Sequence, residues 1–134
     1  MAYWLIKSDP ETYSWDDLIQ DSFTDWDGVR NYQARNNLRI MKKGDLVLFY
    51  HSQIERAIIG IVKISKESFQ DKTTSDEKWV AVEIKPLKKL KTPVSLELIK
   101  KTEELSNIAL IKQSRLSVMP ITDKEYNIIL SMGK

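Results

Sequence analysis

The segment WDGVRNYQARNNLR, residues 26–39, predicts a turn followed by a helix, and the rest of the chain is organised around it. The Asp-Gly pair at its start is typical of a tight turn, because glycine accepts positive φ without steric cost. Beyond the turn, Ala34, Leu38 and Met41 recur at helical spacing and form one apolar stripe. We therefore expect this face of the helix to pack against the core.

A second stripe on the same predicted helix is polar and basic. Asn31, Arg35 and Arg39 lie four residues apart, beside the apolar stripe. Arg30 and Gln33 add further donors, so an aromatic ring, a tight turn and a helix N-terminus meet within a few residues. This combination suits a planar polar ligand or an anion. It also fits an ordinary amphipathic surface helix that follows a buried tryptophan.

The composition limits the class of protein. With 134 residues, of which 42% are hydrophobic, the chain is expected to form a single domain over residues 1–134. The absence of cysteine excludes disulfides and thiolate metal sites. We find no apolar run that predicts a membrane span and no signal-peptide pattern. A compact chain of this kind is expected to be a prokaryotic cytoplasmic protein rather than a nuclear one.

The charges are distributed unevenly along the chain. Residues 1–27 carry one lysine against seven acidic residues, a balance of −6, whereas the remainder carries 20 basic against 12 acidic residues, a balance of +8. A surface with one basic face is therefore expected. Dispersal of the same charges over solvated faces fits the pattern equally well.

The remaining hydrophobic pattern predicts an α+β fold rather than a steady β-α-β alternation. Gly60, inside an apolar run, indicates a bulge or a close backbone approach. The polar residues 65–78 are predicted to form a loop with at most one helical turn, and the lysine-rich residues 86–93 to form an exposed edge or a loop. Strands are predicted at 3–6, 45–50, 57–64, 79–86 and 116–119, and further helices at 14–20, 95–101 and 122–133, while 107–112 fits either.

The sequence lacks the motifs of the common catalytic sites. His51 is its single histidine, which excludes a histidine-rich metal site. No nucleophile elbow of the Gly-x-Ser-x-Gly type is present, and no Walker or Rossmann glycine pattern. No cofactor and no bound metal are therefore expected.

Aromatic residues do recur beside hydrogen-bonding residues near the ends of predicted elements. An unpaired nucleobase needs an aromatic stacking surface and partners for its Watson–Crick edge, and these are the residue types such a pocket uses. Taken singly, Tyr50 also fits the core and His51 also fits a structural histidine. The groups are Trp26 with Arg30 and Asn31, Tyr50 with His51 and Ser52, Trp79 with Lys78, and Ser114 with Arg115.

Together these segments resemble the EVE domain family, a branch of the PUA-like superfamily. One departure is Asp9, where the family usually has Glu, a conservative change at a strand end. The resemblance covers essentially the whole chain. The matching motifs are YWLIKSDP from residue 3, YSW from 13, WDGVRNYQARNNLR from 26, GDLVLFYHS from 44, WV from 79 and QSRLSVMP from 113.

The resemblance implies a pseudobarrel of mixed strands with peripheral helices, and a pocket for a nucleobase. Family members are associated with modified bases, notably modified cytosines in DNA, and the related YTH readers share an Ile-Lys-Ser motif at the first strand. The residues that would line the pocket here are Lys7, Ser8, Trp26, Arg30, Asn31, Tyr32, Arg35, His51, Ser52, Trp79, Ser114 and Arg115. The basic residues expected to hold the nucleic-acid backbone are Arg39, Lys42, Lys43, Lys88, Lys89 and Lys112.

The leading hypothesis is a non-enzymatic reader of DNA or RNA that flips one modified base, a modified cytosine foremost, into an aromatic pocket. A first alternative is a small hydrolase acting on modified nucleosides, with Lys7, His51 and a nearby carboxylate in acid–base roles. A second is a small-metabolite or protein-interaction module. The sequence leaves the oligomeric state open, with a monomer slightly favoured, and predicts no membrane partner.

Overall fold

The computed structural model describes residues 1–134 and shows an α+β fold. None of its helices has the length and apolar content that a membrane span requires. Six strands form one mixed sheet: β1 (Tyr3–Ser8), β2 (Thr24–Trp26), β3 (Leu46–His51), β4 (Ala57–Gln70), β5 (Val80–Ser95) and β6 (Val118–Ile121). Five α-helices surround it: α1 (Trp15–Asp21), α2 (Tyr32–Ile40), α3 (Leu96–Lys101), α4 (Ala109–Lys112) and α5 (Asp123–Met132).

The strands are arranged in the order β2-β5-β4-β3-β1-β6. At the centre, β1 runs parallel to β3, and β6 pairs with β1 in the antiparallel direction. Both faces of the central strands are covered, since Trp4, Leu5 and Ile6 of β1 and every residue of β3 after Leu46 are buried. Strands covered on both faces show continuous apolar runs, which explains the Leu-Val-Leu-Phe-Tyr sequence of β3.

Helix α2 packs against strands that stand near the two ends of the sheet order. Its apolar stripe is confirmed, because Ala34, Leu38 and Met41 are all fully buried. The helix contacts both β5 and β6, and the side-chain amide of Asn37 donates to the carbonyl of Val118 in β6 at 2.7 Å. Because β5 and β6 stand near opposite ends of the order, the sheet must curl so that one helix contacts both. This curl gives the mixed-strand pseudobarrel that the resemblance implied.

Gly60 confirms both expectations drawn from its position in an apolar run. The β4–β5 register shifts between Ile58 and Gly60, as a bulge requires. A Cβ atom at Gly60 would lie 2.6 Å from two ring carbons of Trp15 and 2.9 Å from the carbonyl oxygen of Lys88. Since Trp15 is the first residue of α1, the glycine is what lets this helix rest against the sheet.

Several predicted boundaries are wrong. The polar residues 65–70, predicted to be a loop, belong to β4, which pairs with β5 as far as Gln70 with Val80. The lysine-rich residues 86–93, predicted as an exposed edge or a loop, lie within β5 and are mostly exposed. Beyond residue 65 most of β4 is exposed or half-buried, so the alternation that marks a core strand is absent there. Strand β2 was not predicted, and residues 109–112 are helical. Strand β6 continues through Pro120, which an edge strand tolerates.

Candidate functional site

A cavity of about 590 Å³ opens between the end of β1, the loop that follows it, and β2. Three of the predicted pocket residues, Lys7, Ser8 and Trp26, lie together in its wall. They come from neighbouring motifs of the sequence, and the fold brings the end of β1 next to β2. The complete lining is Lys7, Ser8, Asp9, Thr12, Tyr13, Thr24, Asp25, Trp26 and Asp27.

Trp26 is the large aromatic wall of this cavity. It is half-buried at the end of β2, where it pairs with Val82 of β5. Phe49 and Tyr13 meet its ring edge to face, with centroids 5.8 and 6.2 Å away and interplanar angles of 72° and 69°. Edge-to-face packing of this kind fixes the plane of a ring. Trp26 therefore offers the cavity an aromatic surface supported by two neighbouring rings.

The loop that closes the cavity opposite Trp26 is tied to β1 and to α1. The Ser8 hydroxyl donates to the carbonyl of Tyr13, and the Tyr13 hydroxyl donates to Asp21 at 2.8 Å. Burial and the bond to Asp21 raise the pKa of Tyr13 to about 12. The Tyr13 phenol therefore stays protonated at neutral pH. Ser8 both lines the cavity and, through its bond to the carbonyl of Tyr13, holds the loop in place.

Lys7 connects this cavity to a second, shallower one. Its Nζ donates to the carbonyl of Ser114 at 2.7 Å, across 107 residues of sequence. Burial lowers the pKa of the Lys7 amine. The second cavity, about 320 Å³, is lined by Asn31, Gln33, Gln113, Ser114, Arg115 and Leu116. The structure thus brings Asn31, Ser114 and Arg115 together, next to Lys7 but outside the Trp26 cavity.

The carboxylates of Asp9, Asp25 and Asp27 outnumber the single amine of Lys7 in the Trp26 cavity. Partial burial, with the carboxylates of Asp71 and Asp25 nearby, raises the pKa of Asp27. An excess of acceptors disfavours a phosphate in the cavity and favours a ligand that donates hydrogen bonds. No group of three His, Asp or Glu side chains in the fold is arranged to hold a metal ion. The sequence reasoning passed over Asp25 and Asp27, although the acidic excess of residues 1–27 was its visible signal.

Asn31 has a structural role at the start of α2. Its side-chain oxygen accepts from the backbone N–H of Ala34 at 2.9 Å and so caps the helix. This bond uses one lone pair of the oxygen, so the second lone pair and the side-chain amide N–H groups remain for a ligand in the shallower cavity.

His51 and Ser52 lie behind the Trp26 cavity and do not line it. His51 is buried, its Nε2 accepts from the N–H of Trp15 at 3.0 Å, and its Nδ1 lies 3.0 Å from the carboxylate of Glu55. The N–H and the hydroxyl of Ser52 both donate to the carbonyl of Ser8, at 2.9 and 3.3 Å. These contacts hold the end of β3 against β1 and the start of α1.

Tyr32, Trp79, Arg30 and Arg35 also lie outside the Trp26 cavity, in a cluster of their own. The rings of Tyr32 and Trp79 are 5.2 Å apart. The guanidinium carbon of Arg30 is 5.5 Å from the centre of the Trp79 ring, and that of Arg35 is 5.0 Å from the centre of the Tyr32 ring. The cluster stands at the surface, at the start of α2 and just before β5.

The six basic residues predicted to hold a nucleic-acid backbone lie on four different parts of the fold. Arg39 is on α2, where its guanidinium lies 3.4 Å from the carbonyl of Lys78. Lys88 and Lys91, both on β5, line a cavity beside the end of α5. The others are Lys42 and Lys43 in the turn between α2 and β3, Lys89 on β5, and Lys112 at the end of α4.

Asp71 is a residue of the site that the sequence reasoning missed. Its side chain is fully buried and accepts from the Gly28 N–H at 2.8 Å, Arg30 at 2.9 Å, and the N–H and hydroxyl of Thr73 at 2.7 and 2.5 Å. Burial alone would raise the pKa of Asp71, but these hydrogen bonds lower it to about 2. Asp71 thereby holds the segment that follows Trp26. No local pattern marks it, because Gly28 and Arg30 are distant in sequence.

Comparison with known proteins agrees with this architecture. The sequence matches the EVE domain over residues 2–132. It is 36% identical over 165 residues to thymocyte nuclear protein 1 of Gallus gallus, covering 98% of this chain and 68% of the relative. The corresponding protein of Mus musculus is 37% identical over 164 residues, covering 97% of this chain and 73% of the relative.

Solved structures give the same result. The protein Atu2648 from Agrobacterium tumefaciens has 41% identity and a TM-score of 0.96, over 99% of this chain and 93% of its own. Human THYN1, solved in complex with DNA containing 5-methylcytosine, has 33% identity and a TM-score of 0.95, over 100% of this chain and 98% of its own. The chain therefore belongs to the EVE domain family and has its PUA-like α+β fold.

Proposed function

We propose that this protein is a non-enzymatic reader that binds DNA and accommodates one flipped modified base, a modified cytosine foremost, in the Trp26 cavity. The observation that carries the proposal is the indole of Trp26, supported by two neighbouring rings, beside a set of hydrogen-bond acceptors and donors. Human THYN1, which shares this fold along the whole chain, was solved with DNA containing 5-methylcytosine. Both observations favour a base over other planar ligands.

The size of the cavity fits a base with its sugar. Its volume of about 590 Å³ lies within the range of typical small-molecule pockets. Extruding a base from a duplex costs a few kcal/mol. Stacking on an aromatic side chain returns about 1–3 kcal/mol per base. The Trp26 contact can therefore offset much of the extrusion, and hydrogen bonds to the base edge must supply the rest.

The lining is complementary to the hydrogen-bonding edge of cytosine. The exocyclic amine of cytosine donates, and carboxylates are its usual protein partners. Asp25 and Asp27 supply such acceptors, while the Lys7 amine and the Thr24 hydroxyl supply donors for the ring nitrogen and the carbonyl. The acidic lining keeps phosphates at the rim, where Arg115 is exposed at the neighbouring shallow cavity.

Binding of short labelled oligonucleotides tests this proposal. Duplexes and single strands carrying one cytosine or one 5-methylcytosine are titrated at two salt concentrations, and matched RNA strands are included. Replacing Trp26 by alanine should abolish the preference for the modified base, since the stacking wall is lost. Replacing Phe23, which is 51% exposed and outside the cavity lining, is the matched aromatic control. An equal loss of modified and unmodified binding in Trp26→Ala would contradict the assignment.

A hydrolase acting on modified nucleosides is the second candidate. It is favoured by Lys7, because burial lowers the pKa of its amine and carboxylates line the same cavity. It is disfavoured by His51, whose two ring nitrogens both have partners inside the fold. Release of a product from modified nucleosides, lost in Lys7→Ala, would establish this activity. Failure of every nucleotide to bind would instead favour a small-metabolite or protein-interaction role.

A further inference from the structure

We propose that Tyr32 and Trp79 form a second nucleic-acid contact, an aromatic platform that stacks on an unpaired nucleotide flanking the flipped base. The inference rests on the proposed function, because it places the platform on the same strand as the base in the Trp26 cavity. The sequence motifs suggested one pocket containing all three rings. The structure separates them, since neither Tyr32 nor Trp79 lines that cavity.

The platform is exposed and held in place. Tyr32 is 57% exposed, Trp79 is half-buried, and their ring centroids lie 5.2 Å apart with planes inclined by 33°. The carbonyl of Trp79 accepts from the N–H of Asp71 at 2.9 Å, and its N–H donates to the carbonyl of Asp76 at 3.2 Å. These bonds fix the backbone of Trp79, and a guanidinium lies over one side of each ring. The exposed remainder of the two rings is a stacking surface for bases, because every base has a π face.

The charge around the platform points to an anion. Arg30 is paired with Asp71 at 2.9 Å and Lys78 with Asp76 at 3.4 Å. Arg35, whose guanidinium stacks over Tyr32, forms no salt bridge in the fold. Arg39, one helical turn further on, also has none, and both guanidiniums lie 3.4 Å from the carbonyl of Lys78. Arg35 also donates to the side-chain oxygen of Asn36 at 2.8 and 3.2 Å. One cation without an acidic partner thus lies beside the two rings, and a second lies near the same carbonyl of Lys78.

A nucleotide is the ligand that satisfies both features at once. Its base supplies a flat π surface for the rings, and its phosphate supplies a bidentate acceptor for a guanidinium. Stacking on a ring accepts any base and the guanidinium groups are assigned here to the phosphate, so the contact should be insensitive to sequence and to modification.

The platform adjoins the rim of the cavity. The carboxylate of Asp71 binds the N–H of Gly28, which follows the lining residue Asp27, and also binds Arg30 of the cluster. Extruding a base disrupts the stacking of its neighbours. A platform at this position would replace that lost stacking for the nucleotide beside the flipped one.

The test measures oligonucleotide affinity for Trp79→Ala and Tyr32→Ala, with Phe23→Ala as the control for loss of an exposed ring. The probes are duplexes with one cytosine or 5-methylcytosine, with and without an unpaired nucleotide beside it. Each platform variant should bind modified and unmodified probes roughly 10-fold more weakly, with the ratio unchanged. Trp79→Phe should restore most of the affinity. Arg35→Ala should lower the slope of log affinity against log salt by about one.

Each outcome separates the platform from the base pocket. A wild-type preference for the modified base, with both platform variants binding as tightly as Phe23→Ala, overturns the platform and leaves the reader. Loss of the preference in Trp79→Ala, as in Trp26→Ala, assigns Trp79 to the base pocket and also overturns it. If the platform variants bind all probes more weakly and the wild type shows no preference for the modified base, the platform is supported and the proposed reader function is refuted. Absence of wild-type binding to every probe removes both.

Discussion

Replacing Asp71 by asparagine should destabilise the protein by about 2–3 kcal/mol at neutral pH. The carboxylate is fully buried and accepts hydrogen bonds from Gly28, Arg30 and Thr73, which fix the segment after Trp26 to the loop before β5. Asparagine keeps the shape and one acceptor oxygen, but it turns an amine toward these donors. It also leaves Arg30 without its counterion.

The magnitude follows from the pKa of Asp71. Hydrogen bonds outweigh the effect of burial and lower it from the ordinary 3.8 to about 2. A difference of this size between the unfolded and folded states stabilises the fold by about 2 kcal/mol. Because the folded-state pKa is the lower one, this contribution is complete above the unfolded value. It is lost as the pH falls from about 4 through about 2.

Urea denaturation followed by tryptophan fluorescence, across this pH range, measures the effect. The free-energy difference between the wild type and Asp71→Asn should be constant from neutral pH down to about pH 5 and should then shrink toward about pH 2. Asp16→Asn is the matched control, since Asp16 is exposed in the first turn of α1. A loss below about 0.5 kcal/mol for Asp71→Asn at neutral pH, or a loss that stays the same on acidification, would show that the carboxylate does not stabilise the fold in this way.

Two further substitutions, each with a comparison variant, test how α1 is held. Gly60→Ala should cost about 2 kcal/mol or more in urea denaturation, because its Cβ would meet the Trp15 ring at 2.6 Å. Gly44→Ala, at φ +92° but with open space around it, should cost less; equal losses would contradict the steric argument. His51→Phe should cost about 1–3 kcal/mol by leaving the Trp15 N–H without an acceptor, yet keep the modified-base preference in the oligonucleotide assay. Removing only the exposed partner, in Glu55→Ala, should cost less than about 1 kcal/mol.

The sequence predicts local structure most reliably where the spacing of apolar residues matches the face that the fold buries. The helical spacing of Ala34, Leu38 and Met41 identified the buried face of α2, and Gly60 marked a close approach before any partner was known. Residues 65–70 of β4 and residues 86–93 of β5 were not predicted as strand with certainty, because both segments are largely exposed or half-buried and show no alternation. Strand β2 escaped because three half-buried residues give too short a pattern.

The candidate site was likewise predicted only in part. Motif resemblance gathered Lys7, Ser8 and Trp26, and the structure places all three in one cavity. The resemblance could not show that Trp79 lies outside this cavity, because sequence motifs carry no information about which of two neighbouring surfaces a side chain occupies. The role of Asp71 could not be predicted from a local sequence pattern, since its partner Arg30 lies 41 residues away in the chain.

The bond from Lys7 to Ser114 has a consequence for how the chain is synthesised. Strand β1 leaves the ribosome first, but its neighbours are β3 and β6, and β6 ends at Ile121. Long-range pairing of this kind is slow, whereas the β4–β5 hairpin needs only local contacts. The nascent chain should therefore build its hairpin early and carry an unfinished site until its last residues emerge. A ribosome stalled before residue 114 emerges would display a protein in which Lys7 lacks its Ser114 partner and β1 lacks β6.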